Sequence, residues 1–221
     1  MSPAHSIIVC FATKPEAAPF RKLAATLGDI SIVITGMGSR NAEAATRAAL
    51  ARCRPALLIS SGFAGGLDPA LTTGALVTDT SDARFRKELN SLGTHSIRFH
   101  CAERIATTPA EKSAARASTG ADAVEMESAV IQKVGAELGV PTITIRVISD
   151  SANESLPLDF NALVDEQQNL SFTKLAWKLI GSPGTIPRLI SFQKQVKFCG
   201  QRLATTLGSF IVSVRVHQQH G

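Results

Sequence analysis

The chain has 221 residues, 44% of them hydrophobic and 19% charged, which suits one α/β domain with its own core and excludes a disordered segment. No apolar run approaches the ~18 residues of a membrane span, and the first run, 7–12, is short with no basic residue before it, so a membrane-spanning or secreted chain is not expected. The net charge of +5 is uneven: from Ser171 onward there are seven basic residues and no acid, leaving 16 basic against 18 acidic residues before it, so a nucleic-acid reading built on global charge is excluded.

In chain order, 7–12 reads as a strand covered on both faces, being apolar without polar alternation. Residues 16–27 are Ala- and Leu-rich and predict a helix ending at Gly28; 30–35 predict a second strand closed by Gly36-Met37-Gly38, and 41–52 a second helix. A third strand at 56–60 is ended by the glycine cluster 62–66. Between Gly74 and Thr108 three strand candidates, 75–78, 95–100 and 104–107, predict an antiparallel or strongly curved part of the sheet. Residues 127–138 place Val130, Val134 and Leu138 on one helical face, stopped by Gly139 and Pro141, and 142–148 form the most apolar strand. A further helix ends near Ile180, with Phe172 and Trp177 read as core, before Pro183-Gly184 and Pro187 break the chain. This βαβ rhythm predicts a mostly parallel or mixed sheet between helices.

The segment 183–216 carries Leu203, Leu207, Phe210 and Ile211 at helical spacing among Arg188, Lys194, Lys197, Arg202 and Arg215. Its stripe either packs on the body or a second subunit, or lies on an anionic membrane surface as a peripheral contact. Gly200 and Gly208 weaken a continuous helix, and Gln193, Gln195 and Gln201 dilute the charge, which favours packing.

Cys10, Cys53, Cys101 and Cys199 form no CxxC pair, and His5, His95, His100, His217 and His220 show no ligand spacing. Neither a disulfide framework nor a metal site is therefore expected, and a cytoplasmic location is the default. There is no phosphate loop of the Gly-x-x-x-x-Gly-Lys type and no full dinucleotide fingerprint. Carboxylates, in contrast, gather at strand ends: Glu16 beyond the first strand, Glu125 and Glu127 flanking Met126, and Asp150 after Ser149. Each alone reads as a helix cap or first-turn acid. Together they mark the strand C-terminal edge where α/β sheets bind ligands. Arg40, just past Gly38, reads as an anion contact or a solvated helix residue.

The motifs GFAGGL (62–67), VEMES (124–128) and RVISD (146–150), in this order, resemble the nucleoside phosphorylase/nucleosidase superfamily. The resemblance covers roughly 6–180. It is closest to 5′-methylthioadenosine/S-adenosylhomocysteine nucleosidases, with futalosine hydrolases and hopanoid-associated phosphorylases as relatives. It implies an α/β fold, a three-layer α/β/α sandwich with a mixed, partly barrel-like central sheet. A catalytic domain would span 1–182, and a basic amphipathic C-terminal helical extension 183–221. It further implies cleavage of an N-glycosidic bond of a purine nucleoside, in nucleoside metabolism and methionine salvage, by a cytoplasmic homodimer without a cofactor.

Carried over by motif, Asp150 matches a general acid at the base and Glu127 a carboxylate holding ribose. Met126 matches a residue under the sugar, and Glu16 the activator of the attacking water. Glu125, Gly62, Phe63, Ser149 and Gly38 would line the substrate site. The chemistry fits: an oxocarbenium-like sugar forms as the bond breaks, so a protonated leaving base, a nearby carboxylate and a positioned water lower the barrier. Two positions depart from the phosphorylases. Ser60 stands where an Arg is usual and Phe63 where a small hydroxyl residue is usual, which favours water over phosphate and reshapes the pocket. The stretch between Asp79 and Thr108 is also shorter than the usual base-binding region. The alternatives are a phosphorylase, with Gly38 and Arg40 as anion contacts, and a ligand-binding member of the fold without turnover.

Overall fold

The computed structural model describes residues 6–163 and 186–219. The helix expected to end near Ile180, with Phe172 and Trp177, lies outside the described residues, as do His5, His220 and the side chain of His217. The elements run β1 (Ile7–Phe11), α1 (Lys14–Leu27), β2 (Ile30–Ile34), α2 (Ser39–Arg52), β3 (Leu57–Gly66), β4 (Leu76–Asp79), α3 (Ala83–Ser91), β5 (His95–Ser96), β6 (Phe99–Cys101), α4 (Pro109–Thr119), β7 (Ala123–Glu125), α5 (Ser128–Glu137), β8 (Thr142–Asp150), a 3-10 turn (Phe160–Leu163) and α6 (Ile186–Gln219).

The strands form one mixed eight-stranded sheet in the order β2-β1-β3-β8-β4-β5. β1, β2, β3 and β8 are mutually parallel, and β4 runs antiparallel to β8. β3 forks the sheet. Its first half pairs with β1, while Gly65 and Gly66 pair antiparallel with β7, which carries β6 beside it. The glycine cluster therefore belongs to the strand instead of following it. Helices cover both faces: the main core joins β1, β3 and β8 to α1 and α6, and a second cluster packs β1 and β3 against α2 and α5. This is the α/β sandwich expected from the apolar strands.

Residues 104–107 are irregular, because side chains supply their backbone partners. Asn161 bonds both the N–H and the C=O of Ile105 at 2.9 Å, and the Thr107 N–H donates to Glu111 at 2.7 Å. α3 and α4 lie in stretches where no helix was expected. α3 fully buries only Leu89, with Phe85 and Leu92 partly buried against the main core, and α4 buries only Lys112, so any apolar face is short. Caps start them instead: Asp82 accepts from the Arg84 N–H at 2.8 Å, and Thr108 with Glu111 forms a capping box.

α6 is continuous through Gly200 and Gly208, contrary to the expectation that these glycines weaken it. They serve close packing. A Cβ at Gly200 would lie 3.1 Å from Pro19 Cγ, and one at Gly208 would collide with Leu23 Cδ2 of α1. Leu203, Leu207, Phe210 and Ile211 are buried in the main core, so the body takes the apolar stripe. Arg215 donates to the Leu27 and Gly28 carbonyls and ties α6 to the end of α1. Among the described residues no helix is long and apolar enough to cross a membrane.

The α1–α6 contact yields a stability prediction. Gly208→Val improves helix propensity, yet it forces a branched side chain into Leu23; overpacking of this kind costs about 1–3 kcal/mol. Urea unfolding is expected to show a lower midpoint for the variant. An unchanged or higher midpoint would show that the two helices can separate freely.

Candidate active site

Arg146 lies in the middle of β8, a strand buried on both faces, and is itself 1% exposed. Its Nη2 donates to Glu125 Oε2 at 2.6 Å, to Ser60 Oγ at 3.2 Å and to Glu127 Oε2 at 3.4 Å. Burial opposes its charge, but the Glu125, Glu127 and Glu16 carboxylates outweigh it and hold the guanidinium above its ordinary value.

Glu125 ends β7. Its carboxylate also accepts from the Glu127 and Ser128 N–H groups, at 3.0 and 2.8 Å, and from Ser128 Oγ at 2.8 Å. With Arg146 that makes four donors on two oxygens. Glu125, expected to line the substrate site, anchors Arg146 and the first turn of α5. Glu127, at the N-cap of α5, makes no cap bond with its side chain. Its Oε1 accepts from the Gly38 N–H at 2.9 Å, bringing the start of α2 to the end of β7.

Glu16 completes this end of the site. Its Oε2 closes the capping box of α1, accepting from the Thr13 N–H at 2.8 Å and Thr13 Oγ1 at 3.0 Å. Its Oε1 faces the Phe63 N–H at 3.3 Å. The helix-cap role thus fixes the carboxylate while one oxygen points to β3. Gly62, with φ near +147°, makes the approach possible: a Cβ there would stand 2.6 Å from Arg146 Nη1 and 3.1 Å from Glu16 Oε1.

Asp150, 5% exposed, ends β8. Its Oδ1 lies 2.5 Å from Ser149 Oγ, and its Oδ2 forms a 2.5 Å ion pair with Lys112 of α4. A Cβ on Gly65 would sit 3.4 Å from Asp150 Oδ2, three residues along β3 from Gly62, where Arg146 and Glu16 both approach the backbone. At ~3.3 Å per residue the two poles are roughly 10 Å apart. A cavity of about 230 Å³ opens beside Asp150, between Glu154, Ser155 and Pro157 after β8 and Ser191, Phe192 and Gln195 of α6. A larger cavity of about 420 Å³, bordered by Asp79, Arg98, His100 and Thr119, touches none of the site carboxylates.

Of the other expected residues, Met126 is buried between Glu125 and Glu127, and its carbonyl accepts from Ser39 Oγ at 3.1 Å. Phe63 packs against the main core, its ring tip 3.7 Å from where a Cβ of Gly200 would be. Arg40 is exposed on the first turn of α2, while the Gly38 N–H is occupied by Glu127. Arg146, Ser60 and Lys112 join the site without having been expected as functional residues. Arg146 carried a signal, since a charge inside an otherwise apolar strand must be paired. Lys112 carried none, being one lysine among the polar residues of α4.

Burial first, and then the Glu125 and Glu16 charges, push Glu127 up from 4.5 to about 7, against the pull of Arg146 and the Gly38 N–H. The folded protein therefore binds this proton more tightly than the unfolded chain. The resulting stabilisation is fully present below pH 4.5 and is lost as pH rises through 7. The swing is about 3 kcal/mol at 1.36 kcal/mol per pKa unit. Glu127→Gln, which cannot ionise, is expected to gain stability relative to the parent protein by up to that amount between pH 5 and pH 8, measured by urea unfolding. A difference that does not vary with pH would show that Glu127 ionises as in the unfolded chain.

The family model described as the phosphorylase superfamily matches residues 9–81 and 78–180. The 5′-methylthioadenosine/S-adenosylhomocysteine nucleosidase of Shewanella baltica is 26% identical over 190 residues, covering 69% of this chain and 80% of that one. Two solved structures share the fold. The Neisseria meningitidis 5′-methylthioadenosine/S-adenosylhomocysteine nucleosidase in complex with methylthio-immucillin-A has a TM-score of 0.72 and 18% identity over 95% of this chain and 99% of that one. Helicobacter pylori futalosine hydrolase has a TM-score of 0.71 and 16% identity over 95% and 98%. The fold and the matched residues together make the chain a member of the phosphorylase superfamily.

Proposed function

We propose that the protein hydrolyses the N-glycosidic bond of a purine nucleoside of the 5′-methylthioadenosine/S-adenosylhomocysteine kind. The observation that carries this reading is the separation of two acidic poles on one strand edge: Glu16 and Glu127 around Arg146, and Asp150 about three strand residues away. Such a distance suits a nucleoside with its base at Asp150 and its sugar at Glu127. In this reading Asp150 protonates the leaving base and Glu127 holds the ribose hydroxyls. Met126 lies under the sugar, and Glu16, fixed by its cap, accepts the proton of the attacking water. Gly62 and Ser149 shape the pocket, and Phe63 narrows it on the α6 side. The names of the similar nucleosidases support the substrate class.

Water is favoured over phosphate because neither Gly38 nor Arg40, the expected anion contacts, offers its donors to the site. The Gly38 N–H serves Glu127, and Arg40 points to solvent from the first turn of α2 instead of toward the site. Action in the cytoplasm as a homodimer within methionine salvage belongs to the same proposal and rests on the family resemblance.

A panel of purine nucleosides, with and without phosphate, tests the reaction. Free sugar is expected, with a rate independent of phosphate. Glu16→Gln is expected to lower turnover roughly 10²–10⁴-fold, the range for one general base, and Asp150→Asn to nearly abolish it while ligand binding persists. Ribose 1-phosphate as product, or a Glu16→Gln variant with full activity, would overturn the hydrolase reading.

A further inference from the structure

Lys112, the partner of Asp150, has no part in the chemistry described so far. Lys112 is the one buried residue of α4, with its side chain fully enclosed. Its Nζ donates to Asp150 Oδ2 at 2.5 Å, to the Ser151 carbonyl at 2.6 Å and to the Glu154 carbonyl at 2.9 Å. Three acceptors match the three N–H bonds of an ammonium; a neutral amine has only two hydrogens to offer them. The side chain is therefore held as a cation against the carboxyl. A buried ion pair is weak evidence for stability, because removing two charges from water costs several kcal/mol per ion and an apolar pair often does as well. The local chemistry supplies another reason for a lysine here.

The other oxygen of Asp150, Oδ1, lies 2.5 Å from Ser149 Oγ, which is in turn 3.3 Å from the Ala64 carbonyl. A hydroxyl has one hydrogen. Here Ser149 donates it to Oδ1; if the hydroxyl turns to the Ala64 carbonyl instead, its oxygen accepts and Oδ1 can carry a proton toward it. The two oxygens of Asp150 are thus unlike: Oδ2 is clamped to a cation, and Oδ1 faces a neutral hydroxyl that can either donate or accept.

We infer that Lys112 is a positioning residue that acts through Asp150, fixing the carboxyl and stabilising the carboxylate left when its proton goes to the departing base. This rests on the reading of Asp150 as the acid. In that step the bond between C1′ and the base nitrogen breaks and its electron pair goes to the base. The Asp150 proton is transferred to a nitrogen of the base. The water oxygen bonds to C1′ while its proton passes to Glu16. A negative charge then appears on Asp150 beside the Lys112 ammonium, a preorganised interaction that strengthens as the bond breaks.

The test is the dependence of kcat on the leaving base, measured with a series of purine nucleosides whose bases are progressively easier to expel. Lys112→Met is expected to lower kcat about 10²-fold or more on the poorest leaving base, with KM changed far less, and the deficit is expected to shrink steadily along the series. Lys112→Arg keeps a cation with displaced donors and is expected to show the same trend at smaller amplitude; it also serves should Lys112→Met fail to fold. Asp150→Asn is the reference and is expected to show the steepest dependence. A deficit of equal size on every base, or none, would overturn the inference, because a lysine that merely pins the loop after β8 slows all substrates alike. A parent protein that releases no base, or an Asp150→Asn variant with unchanged rates, would instead overturn the underlying nucleosidase reading.

Discussion

The structure depends on one buried charge. Arg146 places a guanidinium inside a sheet whose neighbouring strand residues are all apolar or small, where an unpaired cation would cost several kcal/mol. Glu125 offsets that cost at 2.6 Å, and in doing so fixes much else. The carboxylate that holds Arg146 also holds the first turn of α5, so the short strand β7 and the helix after it are locked to β8. Through Glu127 the same network reaches the start of α2, and through Gly62 it reaches Glu16 at the start of α1. Four helix or strand ends thus meet around one cation.

The crowding of negative charge has a chemical result. Two carboxylates, Glu127 and Glu16, share the field of an arginine that Glu125 already partly neutralises, and Glu127 is left near neutrality as its proton comes off. In the proposed reading, a carboxylate poised in this way exchanges hydrogen bonds with a sugar hydroxyl in either protonation state. Under the proposed function the second pole, at Asp150, does the opposite work: it holds a single carboxyl against a single cation, so that proton transfer to a base leaves a paired charge. The fork in β3 lets one strand serve both poles. Its glycine-rich half brings backbone close to Arg146 and Glu16 at Gly62, and to Asp150 at Gly65, then turns away to pair with β7.

Much of this was legible in the sequence, for physical reasons that also explain the rest. β1, β2, β3 and β8 are apolar, β-branched runs that read as strands; β1, β3 and β8 are covered on both faces, while β2, at the sheet edge, is only half-buried. Glu16 and Asp150 could be picked out because each stands at or just beyond the end of such a run, and Glu127 because it sits where a short strand turns into a helix. α3 and α4 were missed, since α3 offers only the short apolar face of Phe85, Leu89 and Leu92, α4 buries a lone lysine, and both are started by caps. The 104–107 segment looked like a strand by composition, but its backbone groups are satisfied by Asn161 and Glu111, which only the folded chain brings near. Glu125 was read by motif as a ligand residue; that its four donors all come from protein is a fact of packing. The glycines of α6 looked like helix breakers and are close-contact residues, because the partner that needs their bareness, α1, lies some 180 residues earlier.

The central claim is that the Arg146 charge organises the site, and a double-mutant cycle with Glu125 measures it directly. Urea unfolding of Arg146→Met, Glu125→Gln and the double variant gives the coupling energy between them. If the pair is the organising contact, each single change leaves a buried group without its partner and Arg146→Met is expected to lower stability by about 3–5 kcal/mol. The double variant would then recover a large part of that loss. Additive losses, with no coupling between the two positions, would contradict it.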